Sequence, residues 1–238
     1  MKKLDLMLPV YYGNLHEVEP CIEQLVPYFA ESFKEYDWRI LLAINGKNQE
    51  DMIALVKKLH AKYPRVWFDS VERAGKGSGI IHAWSNSPAD ILSYMDVDLS
   101  TDISNFKDLV AGIENGYDFC IGSRYHPKSD VNRSMKRKVV SIIYHKMVMK
   151  VLLGAKTYTD AQCGFKAVNR RVVKEILPLI ENRDWFFESE MLYIGQRKKF
   201  TILEFPVKWE ESKFSGITLY KAIWEFMKAS VKINFRKF

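Results

Sequence analysis

With 238 residues, 47% of them hydrophobic, the chain suits one large domain or two small ones and has ample material for a core, which excludes a disordered or fibrous polypeptide. A formal net charge of +7 points to anionic partners such as phosphate esters, nucleic acid or an acidic membrane face. Three cysteines, Cys21, Cys120 and Cys163, without Cys-x-x-Cys spacing argue against a disulfide framework or a structural zinc and for a reducing, cytoplasmic setting.

Residues 1–10 open with two lysines, but Asp5 and Pro9 interrupt any signal-peptide core, so residues 4–10 read as a first strand. Val18, Cys21, Ile22, Leu25, Val26 and Phe29 then follow helical spacing, with Pro20 tolerable in a first turn and Pro27 predicting a kink. A strand at 38–44, a helix marked by Met52, Leu55, Val56 and Leu59, a strand at 66–71 and a short helix at 78–87 follow. Next come a strand ending in Tyr94-Met95, a helix at 103–115 closed by Gly116, and a strand at 117–122. The alternation predicts an α/β fold with a mostly parallel sheet, helices on both faces and right-handed crossovers. No repeat or linker divides the chain, so residues 1–238 are expected to form a single domain. The most apolar segment, 139–153, contains His145, Lys146 and Lys150, so no bilayer-spanning run is expected.

The Tyr94-Met95 strand runs into Asp96-Val97-Asp98. Ligands of open α/β sheets bind beyond the carboxyl ends of the strands. Two aspartates at i and i+2 there can converge on Mg2+ or Mn2+, leaving coordination positions open for a diphosphate. The alternative is that they cap the next helix, with Asp102 and Ser104 as further cap candidates. Other predicted strand ends reach the same rim. Pro9, Tyr11 and Tyr12 end the first and Asn45-Gly46-Lys47 the second; Gly75-Lys76-Gly77-Ser78-Gly79 opens a helix whose free amides favour an anion. The Gly-x-x-x-x-Gly-Lys-Ser/Thr spacing of a P-loop is absent.

In order along the chain stand Pro9-Val10-Tyr11, Gly75-Lys76-Gly77, Asp96-Val97-Asp98, Gly122-Ser123-Arg124, Asp160-Ala161-Gln162-Cys163-Gly164-Phe165-Lys166, Trp185-Phe186-Phe187-Glu188-Ser189-Glu190 and Trp209-Glu210-Glu211-Ser212-Lys213. Together they resemble the family 2 glycosyltransferases of the GT-A fold, and among them the dolichyl-phosphate glucose and mannose synthases. The resemblance implies a Rossmann-like GT-A domain with a nucleotide-sugar half, 1–125, and an acceptor half, 126–238. It implies that Asp96 and Asp98 hold the metal, with Ser100 a third ligand, and that Pro9, Tyr11 and Asn45 border base and ribose. Lys76 would lie near the nucleotide, Arg124 would meet a phosphate, and Lys213 would close over the phosphates. Two departures stand out. Ala43-Ile44-Asn45-Gly46-Lys47 replaces the usual Asp-Asp-Gly-Ser stretch, which removes the carboxylate that reads the base and leaves both a UDP-glucose-like and a GDP-mannose donor open. Arg73 replaces the usual Asn before Gly75-Lys76-Gly77.

The second half is expected to build the acceptor side. Residues 130–153 join Arg133, Lys136, Arg137 and Lys138 to an apolar run, and 217–238 interleave Trp224, Phe226 and Phe235 with lysines, a composition suited to peripheral contact with an anionic membrane or to ordinary core packing. A polyprenyl phosphate acceptor is already an anionic nucleophile and needs positioning and charge neutralisation, for which Arg124, Arg133, Arg137 and Lys213 are available. A sugar-hydroxyl acceptor on a glycan would need a base, with Glu188 and Glu190 as candidates; as a pair near a helix N-terminus they would otherwise serve the dipole. No nucleic-acid-binding motif is present, and a non-catalytic sugar-nucleotide binder would not need Asp96, Asp98 and Glu190 together.

Overall fold

The computed structural model describes residues 1–133, 141, 149, 153–211 and 219–238, with side chains in the last segment from Trp224 onward. Strands β1 (Lys2–Val10), β2 (Tyr36–Asn45), β3 (Val66–Val71), β4 (Ile91–Met95), β5 (Phe119–Ser123), β7 (Phe165–Asn169) and β8 (Ile202–Pro206) form one seven-stranded sheet in the order β3-β2-β1-β4-β7-β5-β8. The short β6 (Asp130–Asn132) and β9 (Lys208–Glu210) pair in parallel beside it.

Period-two alternation sends each strand's side chains into two apolar layers. Leu4, Leu6, Leu8 and Val10 of β1, with Trp38, Ile40, Leu42 and Ile44 of β2, face α1 (Leu15–Ser32), α2 (Glu50–Lys62) and α4 (Phe106–Glu114). Met7, Leu41, Ala43, Leu92 and Tyr94 face the opposite layer, built from α3 (Lys76–Asn86), α5 (Arg170–Glu175) and α6 (Phe187–Arg197). Strands covered on both sides must be apolar almost continuously, as Leu4 to Val10 are.

Helix α1 begins at Leu15 and continues through both Pro20 and Pro27, so Pro20 sits beyond the first turn expected for it. Helix α3 begins at Lys76, two residues earlier than its apolar spacing predicts, which places Lys76 and Gly77 in its first turn. Strands β1 to β4 pair in parallel, with β2 and β4 on opposite sides of β1, so the strand order reverses there and the crevice beyond Val10 and Met95 is a topological switch point. Strand β7 lies antiparallel between β4 and β5, pairing Tyr94 with Lys166 and Cys120 with Ala167. The segments 1–125 and 126–238 therefore share one sheet.

The last helix, α7 (Leu219–Asn234), packs Phe226, Met227, Ala229 and Ile233 onto the α6 layer and leaves Trp224 and Val231 exposed, as is Phe235 just beyond it. The basic-apolar segment 130–153 lies largely outside the described residues, as do Arg137 and Lys213. Among the described residues no helix is long and apolar enough to cross a membrane.

Candidate active site

Strand β4 delivers Asp96 to the switch point, where its backbone N–H donates to Gly164 O at 3.1 Å. Val97 turns into the core, and Asp98 is exposed. Leu99 then adopts φ 53°, a left-handed conformation that a branched residue holds only under constraint. Two bonds supply the constraint: Asp98 Oδ1 accepts from Ser100 N–H at 3.0 Å, and Ser100 O accepts from Glu210 N–H at 2.8 Å. Asp102 is the residue that caps, accepting from Ser104 N–H at 2.9 Å, and it leaves the other two aspartates without a capping role.

Asp96, its side chain 38% exposed, ends a chain of charges on the α3 and α6 side of the sheet in which Lys76, Lys166 and Glu188 are buried. Lys76 Nζ lies 2.8 Å from Asp96 Oδ1 and 2.7 Å from Glu188 Oε1, while Lys166 Nζ donates to Glu188 Oε2 at 2.9 Å. The Lys76 ammonium is held between the rings of Tyr94 and Trp185, 5.2 and 5.4 Å from their centroids. Two cations and two carboxylates balance, as buried charge requires. Burial alone would raise the Glu188 carboxyl, but Lys166 and Lys76 outweigh it and hold the group below the ordinary glutamate range. At Asp96 burial prevails over Lys76, with repulsion from Asp98 and Glu188 added, and the carboxyl is raised. Burial, Glu188 and Asp96 push the Tyr94 phenol well above its ordinary value.

Glu190 does not join this cluster. Two positions further along α6 it faces elsewhere, accepting from Glu181 and Asn182 N–H at 3.0 and 2.7 Å and pairing with Arg236. Its oxygens are engaged by these backbone amides and Arg236, so of the two carboxylates named as candidate bases only Glu188 lies in the cluster with Asp96. Helical geometry explains it: residues i and i+2 point about 200° apart.

At the expected anion cradle at the start of α3, two of the amides are engaged within the protein. Gly75 N–H donates to Asn45 Oδ1 at 3.0 Å and Ser78 N–H to Arg183 O at 2.8 Å, so protein acceptors already serve these amides. Gly75 has φ 125°, and a Cβ there would stand 2.3 Å from Arg183 O, so only glycine fits the seam. Asn45 is buried, its amide also donating to Val10 O at 2.9 Å, and it latches the end of β1 to the loop before α3. Pro9 is buried within β1, whereas Tyr11 and Tyr12 stay exposed at the rim.

Arg124 stands in a second cluster. Its Nε and Nη2 donate to Asp160 Oδ2 and Oδ1 at 2.7 and 2.9 Å, so the bidentate edge expected to meet a phosphate is taken. Arg133 approaches the Trp209 ring at 5.3 Å and Arg124 at 5.6 Å. Arg133 Nε is buried without a hydrogen-bond partner among the described residues, and burial and the Arg124 charge lower its pKa. Trp209 bridges back to Thr101, which ties this cluster to the Asp96-Val97-Asp98 loop.

One short segment joins the clusters. Asp160 holds Arg124, Gln162 Nε2 donates to Ser189 Oγ at 2.9 Å, Gly164 packs on Asp96, and Lys166 holds Glu188. A Cβ on Gly164 would fall 2.0 Å from Asp96 Oδ2. Sequence reasoning gave no separate role to Asp160, Gly164 or Lys166. The available signal for Lys166 was a lysine inside the apolar run Phe-Lys-Ala-Val, which demands a buried partner.

The model of the family described as glycosyl transferase family 2 matches residues 6–177. The chain belongs to that family. Glycosyltransferase AglD of Haloferax volcanii is 31% identical over 224 residues, 93% of this chain and 35% of AglD. The dolichyl-phosphate beta-glucosyltransferase of Dictyostelium discoideum is 29% identical, covering 98% of this chain and 74% of its own length. The dolichyl-phosphate beta-glucosyltransferase ALG5C of Trichomonas vaginalis is 25% identical, covering 84% and 62%. The chain thus spans about a third of AglD and under two thirds of ALG5C. Among solved structures, glucosyl-3-phosphoglycerate synthase from Mycobacterium tuberculosis, in complex with Mn2+, UDP-glucose and glycerol 3-phosphate, superposes with a TM-score of 0.68 at 12% identity, over 97% of this chain and 80% of that one. Staphylococcus aureus TarS 1–349 gives 0.59 at 14% identity, over 100% and 67%. These likenesses show the GT-A fold.

The donor set of this family 2 glycosyltransferase fits a hard divalent cation shared with a ligand. Among the described residues no group of three His, Cys, Asp or Glu side chains could hold a metal alone. Asp96 and Asp98 present carboxylates at the strand end and would hold such a cation together with oxygens of a diphosphate.

Proposed function

We propose that this family 2 glycosyltransferase moves a hexose, with inversion, from a nucleotide-diphosphate sugar to a polyprenyl phosphate, with a UDP-glucose-like donor favoured. The observation that carries this reading is the clamping of Glu188 between Lys76 and Lys166. A carboxylate held below its ordinary range by two ammonium groups is a weak proton acceptor, so the acceptor has to arrive already anionic. A lipid phosphate does; a sugar hydroxyl does not. The names of the Dictyostelium and Trichomonas relatives support the same acceptor class.

In this reading Asp96 and Asp98, with Ser100, hold Mg2+ or Mn2+, which would neutralise charge on the departing nucleoside diphosphate. Tyr11 borders the base and Lys76 the phosphates. Arg133, whose Nε has no acceptor among the described residues, faces the acceptor phosphate, with Arg124 adding charge beside it and Arg137 and Lys213 assigned to the same phosphates. Peripheral docking on an anionic cytoplasmic membrane face brings the lipid to the site through the exposed side of α7 and the segment 130–153.

The test is a transfer assay pairing UDP- and GDP-sugars with polyprenyl phosphate, alongside calorimetry of UDP and GDP with and without Mn2+. Hexosyl lipid is expected with a UDP-sugar, and Asp98→Ala is expected to abolish metal-dependent nucleotide binding. Transfer to a glycan hydroxyl but not to the lipid would reject the acceptor assignment; unchanged binding in Asp98→Ala would reject the metal assignment.

A further inference from the structure

We propose that Lys76 is a built-in occupant of the cation site, so that the metal is admitted to Asp96 tightly only together with a diphosphate. The inference rests on the reading of Asp96 and Asp98 as metal ligands. Asp96 Oδ1 is bonded by the Lys76 ammonium at 2.8 Å, and Oδ2 stands only 2.0 Å from where a Cβ on Gly164 would fall. A divalent ion approaching Oδ1 from the 38% exposed side of Asp96 therefore meets a cation already at hydrogen-bond distance, and the two like charges repel. The Lys76 side chain is only 7% exposed, so bulk solvent offers it little compensation for leaving.

Lys76 is nevertheless built to move. It keeps Glu188 Oε1 at 2.7 Å, so it can release Asp96 without becoming an unpaired buried charge. Glu188 is in turn fixed by Lys166 at 2.9 Å and does not follow. A diphosphate entering beside Asp96 offers Lys76 new acceptor oxygens in exchange for the one it gives up. The ammonium then passes from blocking the cation to binding the same ligand that the cation binds. Such an exchange makes the two affinities reciprocal: nucleotide strengthens metal binding by the factor by which metal strengthens nucleotide binding.

Mn2+ binding, followed through the electron paramagnetic resonance signal of the free ion, tests this in the full chain with and without UDP, after correction for Mn2+ held by free UDP. In the wild type Mn2+ alone is expected to bind weakly, and UDP to tighten it about tenfold or more, within the usual span of coupled sites. Lys76→Met and Lys76→Gln should bind Mn2+ alone about tenfold more tightly than the wild type and lose most of the gain from UDP, the direction expected when a competing charge is removed. Lys76→Arg should keep the wild-type pattern. Lys166→Met removes the same charge from Glu188 but not from Asp96, and should tighten Mn2+ much less. Equal affinity for Mn2+ alone in the wild type and the neutral Lys76 variants overturns the proposal, as does equal tightening by Lys166→Met or no effect of UDP on the wild type. Absence of Mn2+ binding even with UDP, or binding that survives Asp98→Ala, instead removes the metal site on which the proposal rests.

Discussion

Arg124 and Asp160 meet through two parallel side-chain bonds, and the Arg124 backbone N–H adds a third to the same carboxylate at 3.0 Å. Burial pushes the Asp160 carboxyl up, but Arg124 outweighs it and holds the group at about 2 against an ordinary 3.8. A folded-state value below the unfolded one stabilises the protein above the unfolded pKa and ceases to do so as pH falls through the folded one. Stability is therefore expected to decline between pH 3.8 and about 2. Asp160→Asn should flatten that part of the profile in urea melts taken at stepped pH.

Removing the partner has a different outcome. Arg124→Ala leaves Asp160 charged and unpaired in the core, a loss of about 3–5 kcal/mol in comparable buried pairs. The double variant Arg124→Ala with Asp160→Asn should regain most of that stability in denaturant unfolding while lipid transfer stays low. Arg124→Lys keeps the charge without the fork and should fall between.

Glu188→Gln separates the two acceptor classes. With polyprenyl phosphate the chemical step should change far less than the about 100- to 10,000-fold that removal of a general base produces. The variant should instead lose nucleotide affinity, since Lys76 and Lys166 no longer share a counter-charge. A near-complete loss of kcat in a folded variant with normal nucleotide affinity would promote the hydroxyl-acceptor reading, with Glu188 as base.

Gly164→Ala places a methyl group where Asp96 Oδ2 now stands. Asp96 must turn away, so metal-dependent UDP binding should weaken by at least about tenfold, roughly 1.4 kcal/mol. Calorimetry with Mn2+ reads this, and far-UV circular dichroism should remain that of the wild type.

Membrane docking is tested on α7 and the residue that follows it, where Trp224 is 58% and Phe235 83% exposed. Liposome co-sedimentation should fall with added salt and fall further in the double variant Trp224→Ser with Phe235→Ser. Equal, negligible binding to neutral and anionic vesicles would remove the docking reading.

The parallel half of the fold was legible because β1, β2 and β4 carry near-continuous apolar runs separated by helical spacing. Strand β7 was not, since its lysine interrupts the apolar signal and its partner, Glu188, lies 22 positions away. Asp96 and Asp98 could be placed because a strand end fixes where they point. Glu188 and Glu190 could not be told apart, because their converging or diverging depends on the face that α6 turns to the sheet. The amides of the Gly75 turn looked free in sequence, and the carbonyl that serves one of them comes from Arg183, which no local pattern announces.

The late arrival of β7 between β4 and β5 bears on how the molecule is made. A growing chain that has reached residue 125 can pair β1 with β2, β3 and β4, but β4 and β5 then present open edges towards a gap. Unpaired edges of this kind are where nascent chains associate wrongly. Asp96 at that stage has neither Gly164 beside it nor Glu188 to draw Lys76 away. The candidate centre therefore assembles only once residues 164–188 have been made, and fragments that stop short of residue 165 should emerge as aggregation-prone sheets that do not bind a nucleotide sugar.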